Sequence, residues 1–185
     1  DAYIAFDILA GASAKHLTYA ASGKTIGIIS SSRIATGKMV QDSSTSFPKL
    51  DPLRSRIDAH TRKHFNVYLD TQALSQALFL HHMPANLLQI GAAFQAGCLP
   101  LKATSIEQAI QLNGIAVAQN IQAFRAGRKA VLDPEWVADL QKARPGRMQV
   151  EVPSKAALPL PGDLLQLPTK LQKSIKLRIN ELIAY

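Results

Sequence analysis

Apolar residues recur at helical spacing through one long stretch of the chain, from Ala85 to Arg128. Pro84 suits a first helical position, and Leu87, Leu88, Ile90, Gly91 and Phe94 give one apolar face. Gly97 can take the left-handed conformation that ends such a helix. After Leu99-Pro100-Leu101, Thr104 is placed to cap a second helix with Glu107 reaching back to it, and Ile106, Ala109 and Ile110 form its buried stripe. Asn113-Gly114 stops it. Val117, Ile121 and Phe124 predict a third helix that Gly127 closes between Arg125 and Arg128. Gly91 sits in mid-helix, where it forfeits propensity unless another backbone needs the room.

Upstream the pattern changes from helical stripes to short apolar runs. Ile8-Leu9-Ala10-Gly11 predicts a buried strand, after which Ser13 caps a helix through Ala14-Lys15-His16-Leu17. Thr25 to Ser30 is apolar on both faces, as a central strand covered by helices on each side must be. The stretch from Ser31 to Phe47 is rich in Ser, Thr and Gly without periodicity, which predicts a loop that moves or is held by a partner. Asp51-Pro52 predicts a helix start, with Leu53 and Ile57 inward and Arg54, Asp58 and His60 outward. Phe65 to Leu69 alternates as a third strand, and Asp70 caps the helix after it. Strands alternating with helices argue for an α/β domain with a mostly parallel open sheet.

Beyond Arg128 regularity falls away. Asp133-Pro134 opens a short helix around Trp136, and a Pro/Leu-rich stretch from Pro153 to Pro168 has linker composition. From Thr169, the positions Leu171, Ile175, Leu177, Ile179, Leu182 and Ile183 predict an amphipathic final helix.

With 185 residues and 47% apolar content, the chain can bury one substantial core. No apolar run reaches membrane-spanning length and no leader pattern is present, so the expectation is a cytoplasmic protein without membrane contact. Its net charge of +8 raises a nucleic-acid reading, but the basic residues are dispersed and aromatics make up only 6%, so no basic stripe with stacking residues emerges. The single cysteine, Cys98, cannot by itself hold an iron–sulfur cluster.

Tested residue by residue, the chain yields no catalytic set and no metal ligands. His81-His82 point apart on a helix end, and His60 and His64, at i and i+4, have Arg62 and Lys63 beside them. Ser30-Ser31-Ser32 lacks the glycines of a nucleophile elbow. Gly23-Lys24-Thr25 leads into a strand instead of a helix, the wrong setting for a phosphate loop.

The order of residues in the helical stretch resembles a family. Asn86-Leu87-Leu88, Gly91-Ala92-Ala93-Phe94-Gln95-Ala96-Gly97, Leu99-Pro100-Leu101, Ile106-Glu107-Gln108-Ala109-Ile110 and Leu112 to Val117 carry the likeness, continued by Asn120, Ala123-Phe124-Arg125 and Gly127-Arg128. This run is similar to the gamma domain of the 2-oxoacid:ferredoxin oxidoreductases, most closely the indolepyruvate type. Weaker agreement extends to Asp7–Ser13, to Thr36-Gly37 and to the strand from Phe65 that ends in Asp70-Thr71. Ala126 and Ala35 stand where those proteins often have tryptophan and proline.

The resemblance implies a Rossmann-like three-layer fold over residues 1–128, lacking the family's first glycine-rich strand and helix, and a linker with a helical C-terminal extension over 129–185. It implies a piece of a larger thiamine-dependent enzyme that oxidatively decarboxylates an aryl pyruvate to an acyl-CoA and passes electrons to ferredoxin. Thiamine diphosphate, magnesium and iron–sulfur clusters are then expected in the parent enzyme and not in this chain, which is expected to be inactive alone. Partners would be other domains or subunits of that enzyme, with ferredoxin and coenzyme A serving the whole. Asn86, Asn120 and Arg125 are the candidates for facing a partner's cofactor or a substrate, against an equally open structural reading as helix caps and inter-helix bonds. Asn113 reads as a helix stop. An open sheet edge and the apolar tail helix predict self-association as a homodimer. A stand-alone binding module of the same fold is the alternative.

Overall fold

A computed structural model describes residues 1–42, 44–142, 168, 169, 171, 172 and 175. The chain divides into two compact units, Asp1–Ala143 and Arg144–Tyr185. The first is a mixed α/β unit built from β1 (Ala2–Ala5), α1 (Ile8–Gly11), α2 (Ala14–Leu17), β2 (Ile26–Ser30), α3 (Gly37–Gln41), α4 (Leu50–His60), a 3-10 turn (Lys63–Phe65) and β3 (Val67–Leu69). The helices α5 (Thr71–Phe79), α6 (Ala85–Gln95), α7 (Ala103–Asn113), α8 (Val117–Leu132) and α9 (Pro134–Lys142) complete it. In the second unit, the amides of Leu171 and Gln172 both donate to the Pro168 carbonyl, at 2.8 and 3.1 Å. Most of the predicted final helix lies outside the described residues.

The sheet has the order β1-β2-β3 with both pairings parallel, Ile4 opposite Ile28 and Ile29 opposite Tyr68. Side chains alternate across a strand, so neighbouring residues of β2 serve opposite faces. Ile28 packs with Leu74, Leu88, Ala92, Ala93 and Ala123 from α5, α6 and α8. Ile29 packs instead with Ile8, Leu17, Leu53 and Ile57 from α1, α2 and α4. That is why β2 has no polar residue until Ser30 at its carboxyl end: it supplies two cores at once.

Several local expectations are corrected. Ile8–Gly11 is a helical turn and not a strand, because Asp7 is extended and its Oδ1 accepts from the amides of Leu9 and Ala10 at 2.6 and 3.0 Å. A four-residue apolar run does not distinguish the two. The strand lies just before it, at Ala2–Ala5. The Ser/Thr-rich loop contains α3, whose cap Thr36 accepts from Met39 N at 3.4 Å. Asp51 lies inside the first turn of α4 with Lys49 at the cap position, so the dipole, not a side-chain cap, accounts for it. Asp58 does not point to solvent; its Oδ1 accepts from Asn66 Nδ2 at 2.7 Å and Tyr68 OH at 2.8 Å.

Other expectations hold. Ser13 and Asp70 cap α2 and α5, accepting from His16 N and Ala73 N. Leu53 and Ile57 are buried, and Gly114, at φ 72°, ends α7 after Asn113. The helix around Trp136 is α9, whose first turn receives Asp133 Oδ1 at 3.0 Å from Trp136 N. Position 128 falls within α8, and α9 packs on α5 and α8, with Trp136, Val137 and Leu140 against the Ile28 core.

Candidate functional site

The stretch that carries the family likeness folds into α6, α7 and α8, and its centre is the crossing of α6 with α8. A Cβ at Gly91 would overlap the Phe124 carbonyl oxygen and come within 3.1 Å of Arg128 N. A Cβ at Gly127 would overlap the Leu88 carbonyl oxygen and lie 2.9 Å from Leu88 Cα. Each glycine therefore admits the other helix's backbone. Gly91 does this as its mid-helix position predicts. Gly127 does not close α8, which continues to Leu132; it is the second half of the same joint. Phe94 and Phe124 meet edge to face beside it, centroids 5.6 Å apart at 61°.

The expected capping box does not form. Lys102 is the cap position of α7, Thr104 is exposed, and the Glu107 carboxylate turns to Arg125, accepting from Nε at 2.8 Å and Nη2 at 2.7 Å. The Arg125 hydrogen bonds hold the Glu107 carboxyl below its usual range, and the charges of Arg125 and Arg128 add to this. Arg128 donates from Nε to Gln95 Oε1 at 3.1 Å and stacks over Phe94, 5.0 Å from the ring centroid.

Of the three candidate residues, Arg125 is thus tied to Glu107, and Asn120 donates from Nδ2 to the Ile115 carbonyl at 2.9 Å, bracing the turn that enters α8. Asn86 is exposed in the first turn of α6. No hydrogen bond joins any two of them among the described residues.

A different polar set gathers where ligands of parallel α/β sheets commonly bind, at the carboxyl ends of the strands. Thr71 Oγ1 lies 2.8 Å from Ser30 Oγ, which donates to Ser32 Oγ at 3.0 Å, and Ser32 in turn donates to Asp70 Oδ1 at 2.7 Å. Since Ser30 spends its proton on Ser32, Thr71 is the donor to Ser30, and the hydroxyls form one directed chain ending on a carboxylate. Such chains strengthen cooperatively. Asp70 also caps α5, and Ser32 accepts from Gln72 N at 3.0 Å. All three hydroxyls are buried and their protons are spent within the set, so the arrangement locks β2 to the β3–α5 junction. It presents no free nucleophile.

Under the same sheet face lies Gln89, fully buried on α6. Its Nε2 donates to the Ile28 carbonyl at 2.7 Å and, more weakly, to Ala5 O at 3.4 Å, joining the two strands, while Oε1 is buried without a hydrogen bond. At the β3 edge, Asn66 links Gly27 N, Asp58 and Thr61, each at 2.7 Å. Burial first, then the bond to Asp58, raises the Tyr68 hydroxyl pKa well above its ordinary value.

Sequence reasoning weighed Ser30-Ser31-Ser32 only as a nucleophile and passed over Gln89 and Asn66. The strand ending in Asp70-Thr71 was the one signal that pointed here. His81, excluded as a ligand, accepts from Met83 N at Nδ1 and meets the Gln119 side-chain amide at Nε2, 3.0 Å away. His60 ends α4 while His64 sits in the following 3-10 turn, so they do not share a helix. Burial pushes the Cys98 thiol up, which keeps it protonated and poorly nucleophilic. Among the described residues no group of three or more His, Cys, Asp or Glu could hold a metal ion, and no helix is long and apolar enough to cross a membrane. No family model, curated protein or solved structure matches this chain.

Proposed function

We propose that this chain is a domain of a thiamine-dependent 2-oxoacid:ferredoxin oxidoreductase of the indolepyruvate type, acting in the cytoplasm within a Rossmann-like three-layer arrangement. One observation carries the reading. The residues of the family likeness fall on three consecutive helices, and its two mid-helix glycines, Gly91 and Gly127, meet in a single reciprocal joint. A likeness spread over one interlocked unit is the kind expected of a shared packing solution.

In this reading the parent enzyme decarboxylates an aryl pyruvate oxidatively to an acyl-CoA and reduces ferredoxin. Thiamine diphosphate, magnesium and iron–sulfur clusters belong to its other segments. This chain contributes interfaces and supports the active site. Its buried polar sets are consistent with that division of labour, because they are spent on holding strands and helices in place. The direct test is the reading frame on either side of this segment: the reading requires sequences for a thiamine diphosphate site and for cysteine clusters, and a frame without them refutes it.

A stand-alone binding module is the competing reading. It is favoured by a groove of about 340 Å³ along the outer edge of β1, lined by Tyr3, Phe6, Asp7, His16 and Tyr19. The same open edge supports homodimer formation, which light scattering coupled to size exclusion would report as a mass above one chain.

A further inference from the structure

We propose that Arg128 and Arg125 together receive a phosphate oxyanion on the flank of α8. The two residues are three apart on one helix and so lie on the same side of it. Each is already oriented through Nε, Arg128 by Gln95 Oε1 and Arg125 by Glu107. Stacking on Phe94 and, at 5.9 Å, on Phe124 fixes how the Arg128 guanidinium lies and leaves its outer nitrogens unspent. Both Nη atoms of Arg128 and Nη1 of Arg125 carry no hydrogen bond among the described residues.

Charge points the same way. Two guanidinium groups act on the one Glu107 carboxylate, which among the described residues leaves one positive charge uncompensated beside oriented donors. Glu107 already occupies the two-nitrogen edge of Arg125 that a planar carboxylate would take. What remains is the outer fork of Arg128 with one more nitrogen from Arg125, three donors suited to the oxygens of a tetrahedral anion. The site does not depend on the reading of function proposed above.

The test titrates inorganic phosphate into the full chain at constant ionic strength, following the arginine Nε–Hε resonances, with acetate and chloride as separate arms. The expected result is a saturable shift of Arg128 with phosphate that acetate does not reproduce. Arg128→Lys keeps the charge but loses the fork, and is expected to weaken phosphate binding about tenfold. Glu107→Gln removes the competing carboxylate and is expected to tighten it. Equal responses to phosphate, acetate and chloride, or unchanged binding in R128K, overturn the proposal. Should R128K fail to fold, E107Q decides: tighter binding supports the site, and equal or weaker binding overturns it.

Discussion

Gly91 and Gly127 occupy matching places in the α6–α8 crossing, each lying where a side chain would strike the other helix's carbonyl, of Phe124 in one case and Leu88 in the other. Glycine inside a helix costs about 1 kcal/mol against alanine when the site is open. Here the gain in propensity is outweighed by overlap with backbone that cannot rotate away.

Gly91→Ala and Gly127→Ala should therefore each lower stability, and the leucine variants should lower it further, by about 3 kcal/mol or more. Gly37, whose Cβ would meet nothing within 4 Å, is the control and should tolerate alanine. Urea titration of the three alanine variants checks this; a rise in midpoint for G91A or G127A would show that the helices separate at no cost.

Tyr68 gives the fold an alkaline limit. Its pKa is raised in the folded state, so the folded chain holds the proton that the unfolded chain releases from about pH 10. The contribution is complete below that pH and lost above it. Stability measured from pH 8 to 11 should fall more steeply in the wild type than in Tyr68→Phe, which lacks the titrating group; parallel curves would contradict the assignment.

Gln89→Leu replaces a buried amide that makes one good hydrogen bond and leaves its oxygen unmet. The lost bond is worth about 1 kcal/mol and the relieved oxygen about 1–3 kcal/mol, so the variant should be neutral or more stable. Thermal and urea unfolding decide it, and a loss above about 2 kcal/mol would mean that Oε1 is satisfied.

Leu80 sits at φ 64° with 79% of its surface exposed, so its side chain returns little for the left-handed backbone it adopts. Leu80→Gly should raise stability by up to about 1 kcal/mol. A loss instead would show that this leucine packs against something in solution.

Sequence patterning made some of this legible. β2 was readable because a strand serving two cores carries no polar residue from Ile26 to Ile29, and Gly91 because nothing local explains a glycine in mid-helix. Gly127 was misread for a physical reason: near a basic residue, a glycine at the end of a periodic run looks like a helix stop, and only the partner helix shows otherwise. Ile8–Gly11 is too short for its period to separate turn from strand. The Thr71–Ser30–Ser32–Asp70 chain and the Asn66–Asp58 pair join residues from different elements, so no local spacing announces them. Arg125 was visible as a polar residue in an apolar stretch, but its partner was assigned to a cap on α7, where Glu107 instead reaches across to α8.

The proposed function is tested most directly by an anaerobic assay of the native protein that carries this sequence, reading reduction of ferredoxin with indolepyruvate. The account predicts reduction that requires both indolepyruvate and coenzyme A and is lost when Gly91→Leu opens the α6–α8 joint. A folded native protein that holds no iron–sulfur cluster after anaerobic purification, or that oxidises no aryl pyruvate when supplied with thiamine diphosphate, magnesium and coenzyme A, would contradict it.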